Sequence, residues 1–207
     1  MKESNHVPFQ TVIFDLGGVL IDWNPRYLYR KLMNSEAEIE YILSHICTPA
    51  WNAQQDAGRP FHEGIAELIK QYPQHRSAIE AYHQRWEEML GEPHWGSVEI
   101  FRQIKSKGLP VYALTNWYAE TFPTAKKRFS FLLEFDGIVV SGEEKVAKPD
   151  PALFHILLER YEIEASQAVY IDDWAPNIAT AKGLGLHTIH FQSAPQLRRE
   201  LQAYGVL

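Results

Sequence analysis

The sequence predicts an α/β protein: a doubly wound, Rossmann-like parallel sheet core carrying an inserted all-helical domain. Three observations predict it. Five short apolar runs each stop abruptly at polar residues. Helical patterns separate most of them, as strand and helix alternate in an open parallel sheet. Roughly 95 residues divide the first run from the second, far beyond a single crossover, and they carry helix signals throughout.

The predicted strands are Thr11–Phe14, Val111–Leu114, Ile138–Val140, Ala168–Ile171 and Leu186–Phe191. They are nearly continuous in apolar residues rather than alternating, which suits parallel strands buried on both faces. Between them, Val98–Lys107 is a helical pattern ending at Gly108, a C-cap glycine. Ala152–Tyr161 follows Asp150-Pro151, a cap and an N1 proline, and Pro176–Leu184 ends between Gly183 and Gly185. In the long gap, Asn24-Pro25 opens one helix, the capping box Ser35-x-x-Glu38 a second and Thr48-Pro49 a third. Patterns at Pro60–Gln71 and Arg76–Leu90 follow, with no strand signal. The expected division is residues 1–22 and 95–207 for the core and 23–94 for the helical insertion.

Composition narrows the function. The chain has 207 residues, 45% hydrophobic and 22% charged, which is globular rather than disordered. Its 20 Lys and Arg stand against 26 Asp and Glu, a net charge of −6, so no basic face is expected to meet nucleic acid. The short basic runs Lys105–Lys107 and Lys126–Arg128 fall in helical patterns and read as solvated faces. Cys47 is the one cysteine and reads as a small buried hydrophobe. The first ten residues hold no apolar leader region, and no run approaches the roughly 18 apolar residues of a membrane span. The expectation is a cytoplasmic protein with no membrane association. Nine histidines fall in no zinc-ligand spacing; His187 and His190, three apart on a strand, point to opposite faces.

Ligands of open parallel sheets bind beyond the carboxyl ends of the strands. The first predicted strand ends at Asp15, the second at Thr115-Asn116, the third at Ser141 shortly before Lys148, and the fourth at Asp172-Asp173. Three acids, a hydroxyl, an amide and a lysine thus converge on one edge. Clustered carboxylates repel each other unless a cation sits among them, and all-oxygen ligation suits Mg²⁺. Lysine, hydroxyl and amide are donors for phosphate oxygens. A carboxylate in line with phosphorus is a nucleophile for phosphoryl transfer.

Val-Ile-Phe-Asp-Leu-Gly-Gly-Val-Leu at 12–20, Ala-Leu-Thr-Asn at 113–116, Lys-Pro-Asp at 148–150 and Tyr-Ile-Asp-Asp at 170–173 resemble the four motifs of the haloacid dehalogenase superfamily, in its order. The insertion sits where that family's type 1 helical cap sits. The nearest resemblance is to its phosphatases with an Asp-x-Gly first motif, sugar-phosphate phosphatases among them. The resemblance implies Asp15 as nucleophile and Mg²⁺ ligand. Thr115 and Asn116 would hold the phosphoryl group, and Lys148 would pair with phosphate and Asp15. Asp173 would bind the metal, with Asp172 as ligand or supporting partner. Most such phosphatases carry a second Asp two residues after the nucleophile, which gives its carbonyl to Mg²⁺ and acts as general acid. Here that residue is Gly17, whose carbonyl remains but which has no acid to offer. A good leaving group, a cap residue or water would have to compensate.

The implied activity is Mg²⁺-dependent hydrolysis of a small phosphorylated metabolite, a sugar phosphate first, through an aspartyl-phosphate. Two alternatives remain: a 2-haloacid dehalogenase, since those relatives also lack the second Asp, and a phospho-ligand binder with degenerate catalysis. The acids at 172 and 173 stand where the dehalogenases carry Ser and Asn, which favours the metal site. Trp23, Trp51 and Trp117 are candidate pocket walls or cap-to-core glue. Arg59, beside Gly58, is an anion clamp or a partner of Asp56.

Overall fold

The computed structural model describes residues 9–207. Most of the amino-terminal segment searched for a leader, and the first eight residues of the predicted core, lie outside the described residues. Strands β1 (Thr11–Phe14), β4 (Val111–Thr115), β5 (Gly137–Val140), β6 (Ala168–Asp172) and β7 (His187–His190) form one parallel sheet in the order β5-β4-β1-β6-β7. The strands fall where the apolar runs predicted, within a residue or two at each end.

The continuous apolar runs have a direct cause. Val12 and Phe14 of β1 join one buried cluster with Val111, Ala113, Val169 and Ile171, while Ile13 joins another with Leu114 and Tyr170. Alternate residues therefore serve opposite faces, and both faces are covered. Helices α6 (Trp95–Ser106), α7 (Phe122–Arg128) and α11 (Ala194–Ala203) bring residues to the first cluster. Helices α9 (Pro151–Arg160) and α10 (Ala175–Gly183) bring residues to the second. The short helix α8 (Ser141–Glu144) follows β5 directly.

Between β1 and α6 the chain builds helices α1 (Arg26–Leu32), α2 (Glu36–Tyr41), α3 (Pro49–Asp56), α4 (Phe61–Gln71) and α5 (Arg76–Gln84). The predicted caps form: Ser35 Oγ accepts from the Glu38 amide, and Thr48 Oγ1 accepts from the Trp51 amide. These helices bury a third apolar cluster, which includes Leu28, Tyr29, Ile42, Cys47, Trp51, Phe61 and Tyr82. Cys47 is buried there, as expected, and receives a hydrogen bond from the Tyr29 hydroxyl.

The segment expected to be all-helical is not. Strand β2 (Ile21–Trp23) pairs antiparallel with β3 (Leu90–Pro93), and the two chain crossings run side by side. The Asn24 amide donates to the Met89 carbonyl and the His94 amide to the Leu20 carbonyl. Leu-Gly-Glu-Pro has no alternation to announce a strand; it pairs because β2 lies beside it. Gly91 lets β3 pass close to the Asp22 carboxylate, which a methyl group there would have to displace. Residues Ile42–Ile46 form a π-helical turn continuing α2, which the apolar periodicity does not separate from an ordinary helix. No helix among the described residues is long and apolar enough to cross a membrane.

Candidate active site

Asp15 follows β1 directly, and its amide donates to the Ile171 carbonyl of β6, so the neighbouring strand fixes its direction. Lys148 Nζ lies 2.9 Å from Asp15 Oδ1 and 2.7 Å from Asp172 Oδ2, and donates to the Leu114 carbonyl at 2.8 Å. The lysine side chain is 1% exposed. Such an ammonium is tolerable only because these oxygens surround it. Burial alone would lower its pKa, but the Asp15 and Asp172 charges outweigh that and raise it.

Asp172 holds the lysine. Its carboxylate accepts from Lys148, from the Tyr170 hydroxyl, from the Trp174 amide at 2.8 Å and from Asn177 Nδ2 at 3.0 and 3.1 Å. Burial raises this carboxyl, yet Lys148 and these donors carry it below the ordinary range. With both oxygens taken, Asp172 suits an anchor for Lys148 better than a direct metal ligand. Asn116 anchors the same lysine through its backbone: its Nδ2 donates to the Lys148 carbonyl at 2.9 Å and its Oδ1 accepts from the Lys148 amide at 2.8 Å. Thr115, at the end of β4 and 1% exposed, has a hydroxyl with no hydrogen-bond partner among the described residues. A buried orphan hydroxyl calls for a partner, and at a strand end beside the acidic cluster a ligand oxygen can supply it.

Asp15, Asp172 and Asp173 present oxygens within 4.8 Å of one another. Burial pushes the Asp15 carboxyl up against the pull of Lys148, and the Asp172 and Asp173 charges add to the rise, to about 7. Asp173 is raised by burial and then by Asp172. Three carboxylates share one lysine, so the cluster holds an excess of negative charge, and its donors are all oxygens. That set fits a hard divalent cation.

Above the cluster lies a cavity of about 300 Å³, between the strand ends and the helical unit. From the core, Gly17, Asn116, Trp117, Tyr118 and Asp173 line it. From the other side come Asn52, Asp56, Phe61, Tyr82 and Trp86, with Trp23 at the crossing. Trp23 and Trp117 therefore reach the cavity, whereas Trp51 and Arg59 are not among its lining residues. Trp51 is buried in the helical cluster, edge-on to Phe61 and Tyr82, and its Nε1 donates to the Gly64 carbonyl at 3.3 Å. Arg59 bonds Gln55 and pairs with Glu67 at 2.8 Å, so it meets neither the cavity nor Asp56. Sequence reasoning passed over Asn52 and named Asp56 only as a partner for Arg59. Their signal was present: four residues apart on α3, they share a helix face just beside that of Trp51 and Gln55.

Comparison with known proteins agrees with this geometry. The family model for haloacid dehalogenase-like hydrolases matches residues 9–185. A sesquiterpene phosphatase of Aspergillus oryzae is 25% identical over 194 residues, covering 94% of this chain and 95% of that protein. A phosphorylated carbohydrates phosphatase of Thermotoga maritima is 25% identical over 191 residues, covering 87% and 84%. Among solved structures, a haloacid dehalogenase family enzyme of Bacteroides thetaiotaomicron, complexed with magnesium and inorganic phosphate, superposes with a TM-score of 0.69. It is 20% identical and covers 89% of this chain and 95% of its own, a likeness of fold. With strand-end residues in one cluster and a family model spanning most of its length, the chain belongs to the haloacid dehalogenase-like hydrolases, and phosphatases stand among its relatives.

Proposed function

We propose that the protein is a Mg²⁺-dependent phosphomonoester hydrolase that acts on a small phosphorylated metabolite through an aspartyl-phosphate on Asp15. The observation that carries this reading is the three-carboxylate cluster sharing one buried lysine, beside the orphan hydroxyl of Thr115. Asp15, Asp173 and the Gly17 carbonyl would hold the metal, with Asp172 behind them. When bound, Mg²⁺ supplies positive charge that lets the carboxylates and a phosphate approach one another.

The chain's own residues do the rest. An Asp15 oxygen attacks phosphorus, the bond to the leaving oxygen breaks, and the electron pair departs with that oxygen. Lys148, fixed by Asp172 and Asn116, favours the ionised form of Asp15 against the burial that raises it, and offsets charge on the phosphoryl oxygens. The Thr115 hydroxyl donates to one of those oxygens. Water then attacks the phosphorus, releases phosphate and restores Asp15. The helical unit, residues 23–94, serves as a cap whose β2–β3 crossing would let it open for substrate and close against water.

Glycine at position 18 tests the metal assignment. It has φ +73°, and a methyl group there would overlap the Asp173 carboxylate. Gly18→Ala is expected to weaken Mg²⁺ binding by about 10- to 100-fold, read by calorimetric titration of the folded variant.

For the substrate, a sugar phosphate is the first reading, in keeping with the carbohydrate phosphatase relative. The cavity itself favours a second. Its walls are Trp23, Phe61, Tyr82, Trp86, Trp117 and Tyr118, with Asn52 and Asp56 as the polar groups on the cap side. Such walls suit an apolar or terpenoid phosphate, and the sesquiterpene phosphatase relative points the same way. Phosphate release from sugar phosphates and prenyl phosphates, with Mg²⁺ and with EDTA, decides between them by kcat/KM. Release that persists in EDTA would count against the metal. Halide release from haloacids would favour a dehalogenase, and ligand-induced stabilisation without turnover a binding protein.

A further inference from the structure

We propose that Asp56, on cap helix α3, is the acid that protonates the leaving group, the role for which Gly17 has no side chain. This inference rests on the phosphatase reading and adds a catalytic residue to it.

Asp56 lines the same cavity as Gly17, Asn116 and Asp173, and faces it from the cap side, so a leaving group that occupies this cavity is within its walls. Asp56 is half-buried. Asn52 Nδ2 donates to its Oδ2 at 2.8 Å, and the Tyr82 hydroxyl donates to Asn52 Oδ1 at 3.1 Å. The tyrosine fixes the amide, and the amide fixes the carboxyl. Asp56 Oδ1 has no hydrogen bond among the described residues, which leaves it for a proton and a ligand oxygen.

The ionisable groups around it give no compensating cation. Tyr82 on α5 is a phenol whose pKa burial pushes well up. Arg59, in the turn after α3, gives Nε to Gln55 and Nη1 to Glu67, and its buried Nη2 has no partner among the described residues, Asp56 included. Lys145 packs against Gly58, His83 stacks on Phe61 at 4.5 Å, and Asp173 across the cavity is itself an acid. Burial accordingly carries the Asp56 carboxyl from 3.8 to about 7, where an acid both holds and yields its proton near neutrality. The other nearby candidate is engaged elsewhere: Asp22 accepts from the Tyr27 hydroxyl at 2.6 Å and does not line the cavity.

In the first step the proton on Asp56 passes to the leaving oxygen as its bond to phosphorus breaks, giving an alcohol and an Asp56 carboxylate. In the second, water attacks the phosphoenzyme and its proton leaves with the phosphate, while the Asp56 carboxylate regains its proton from solvent.

The test is a leaving-group comparison with saturating Mg²⁺. Asp56→Asn should lower kcat about 10²- to 10⁴-fold on an alkyl phosphate the wild type turns over, whose alkoxide needs the proton. On p-nitrophenyl phosphate, whose leaving group needs little help, the loss should stay under about 10-fold. In the wild type, kcat for the alkyl ester should fall above pH 7 while that for the aryl ester does not, a measurement that requires no variant. Adding Gly17→Asp to Asp56→Asn should restore alkyl turnover, since a Cβ at Gly17 meets no atom within 4 Å. Equal losses on both esters, or no alkyl-specific fall with pH, would overturn the acid role and leave the phosphatase reading standing. A wild type that releases phosphate from neither ester would overturn that reading, and the acid role with it.

Discussion

Asp15→Asn is expected to reduce phosphate release by about 10⁵-fold or more, the scale on which removing a nucleophile acts when the rest of the site is intact. The amide keeps the shape and can still accept from the Leu16 amide, which donates to Asp15 Oδ1 at 2.7 Å. It cannot attack phosphorus. The variant should also fold. Without metal, Asp15 is a buried carboxyl pushed up to about 7 by burial and by Asp172 and Asp173, so making it neutral removes a repulsion. Lys148 keeps Asp172 as its partner. A melting temperature no lower than that of the wild type, with turnover gone, is the expected pair of results. Loss of both together would mean that Asp15 is structural first.

Lys148→Met should have the opposite profile, with fold and activity failing together. The ammonium is the centre of the cluster, with Asp15 on one side and Asp172 on the other. Removing one partner from a buried ionic pair leaves an uncompensated charge, at a cost of about 3–5 kcal/mol. The ordered backbone around it, held through Asn116, softens the local geometry no further, since those bonds use main-chain atoms. Turnover should fall by at least about 10²- to 10³-fold from the lost charge on the phosphoryl oxygens. Mg²⁺ should partly restore the melting temperature by taking up the excess negative charge. Urea unfolding with and without Mg²⁺ measures the first effect, and phosphate release the second.

The core strands were legible because their burial is two-sided. Val12, Ile13 and Phe14 are each fully buried, and no polar residue interrupts them. The strand-end residues were legible for a related reason: a parallel sheet directs its carboxyl ends to one edge, so Asp15, Thr115 and Asp172-Asp173 had to meet there. What they would do to one another was not. That Asn116 would brace Lys148, and that Tyr170 and Asn177 would saturate Asp172, depends on side-chain directions that spacing alone does not fix.

The cavity wall of the cap was misjudged by a single step along a helix. Trp51 and Asn52 are adjacent in sequence but about 100° apart around α3, and only the docking of α3 on the core decides which faces the site. The tryptophan went into the helical cluster and the asparagine, with Asp56, to the cavity. The β2–β3 pair was missed because neither segment has enough residues to show a period. Helix α11 went unpredicted although Ser193, whose side chain accepts from the Gln196 amide, and Pro195 announce it.

The most direct measurement is to trap the covalent intermediate. Turnover of p-nitrophenyl phosphate with Mg²⁺ is quenched with borohydride, which reduces an aspartyl-phosphate to homoserine, and the peptide holding Asp15 is sequenced by mass spectrometry. Homoserine at position 15, formed only when substrate and Mg²⁺ are both present, is the expected result. Rapid phosphate release with Asp15 unmodified, or the same modification formed in EDTA, would contradict the account.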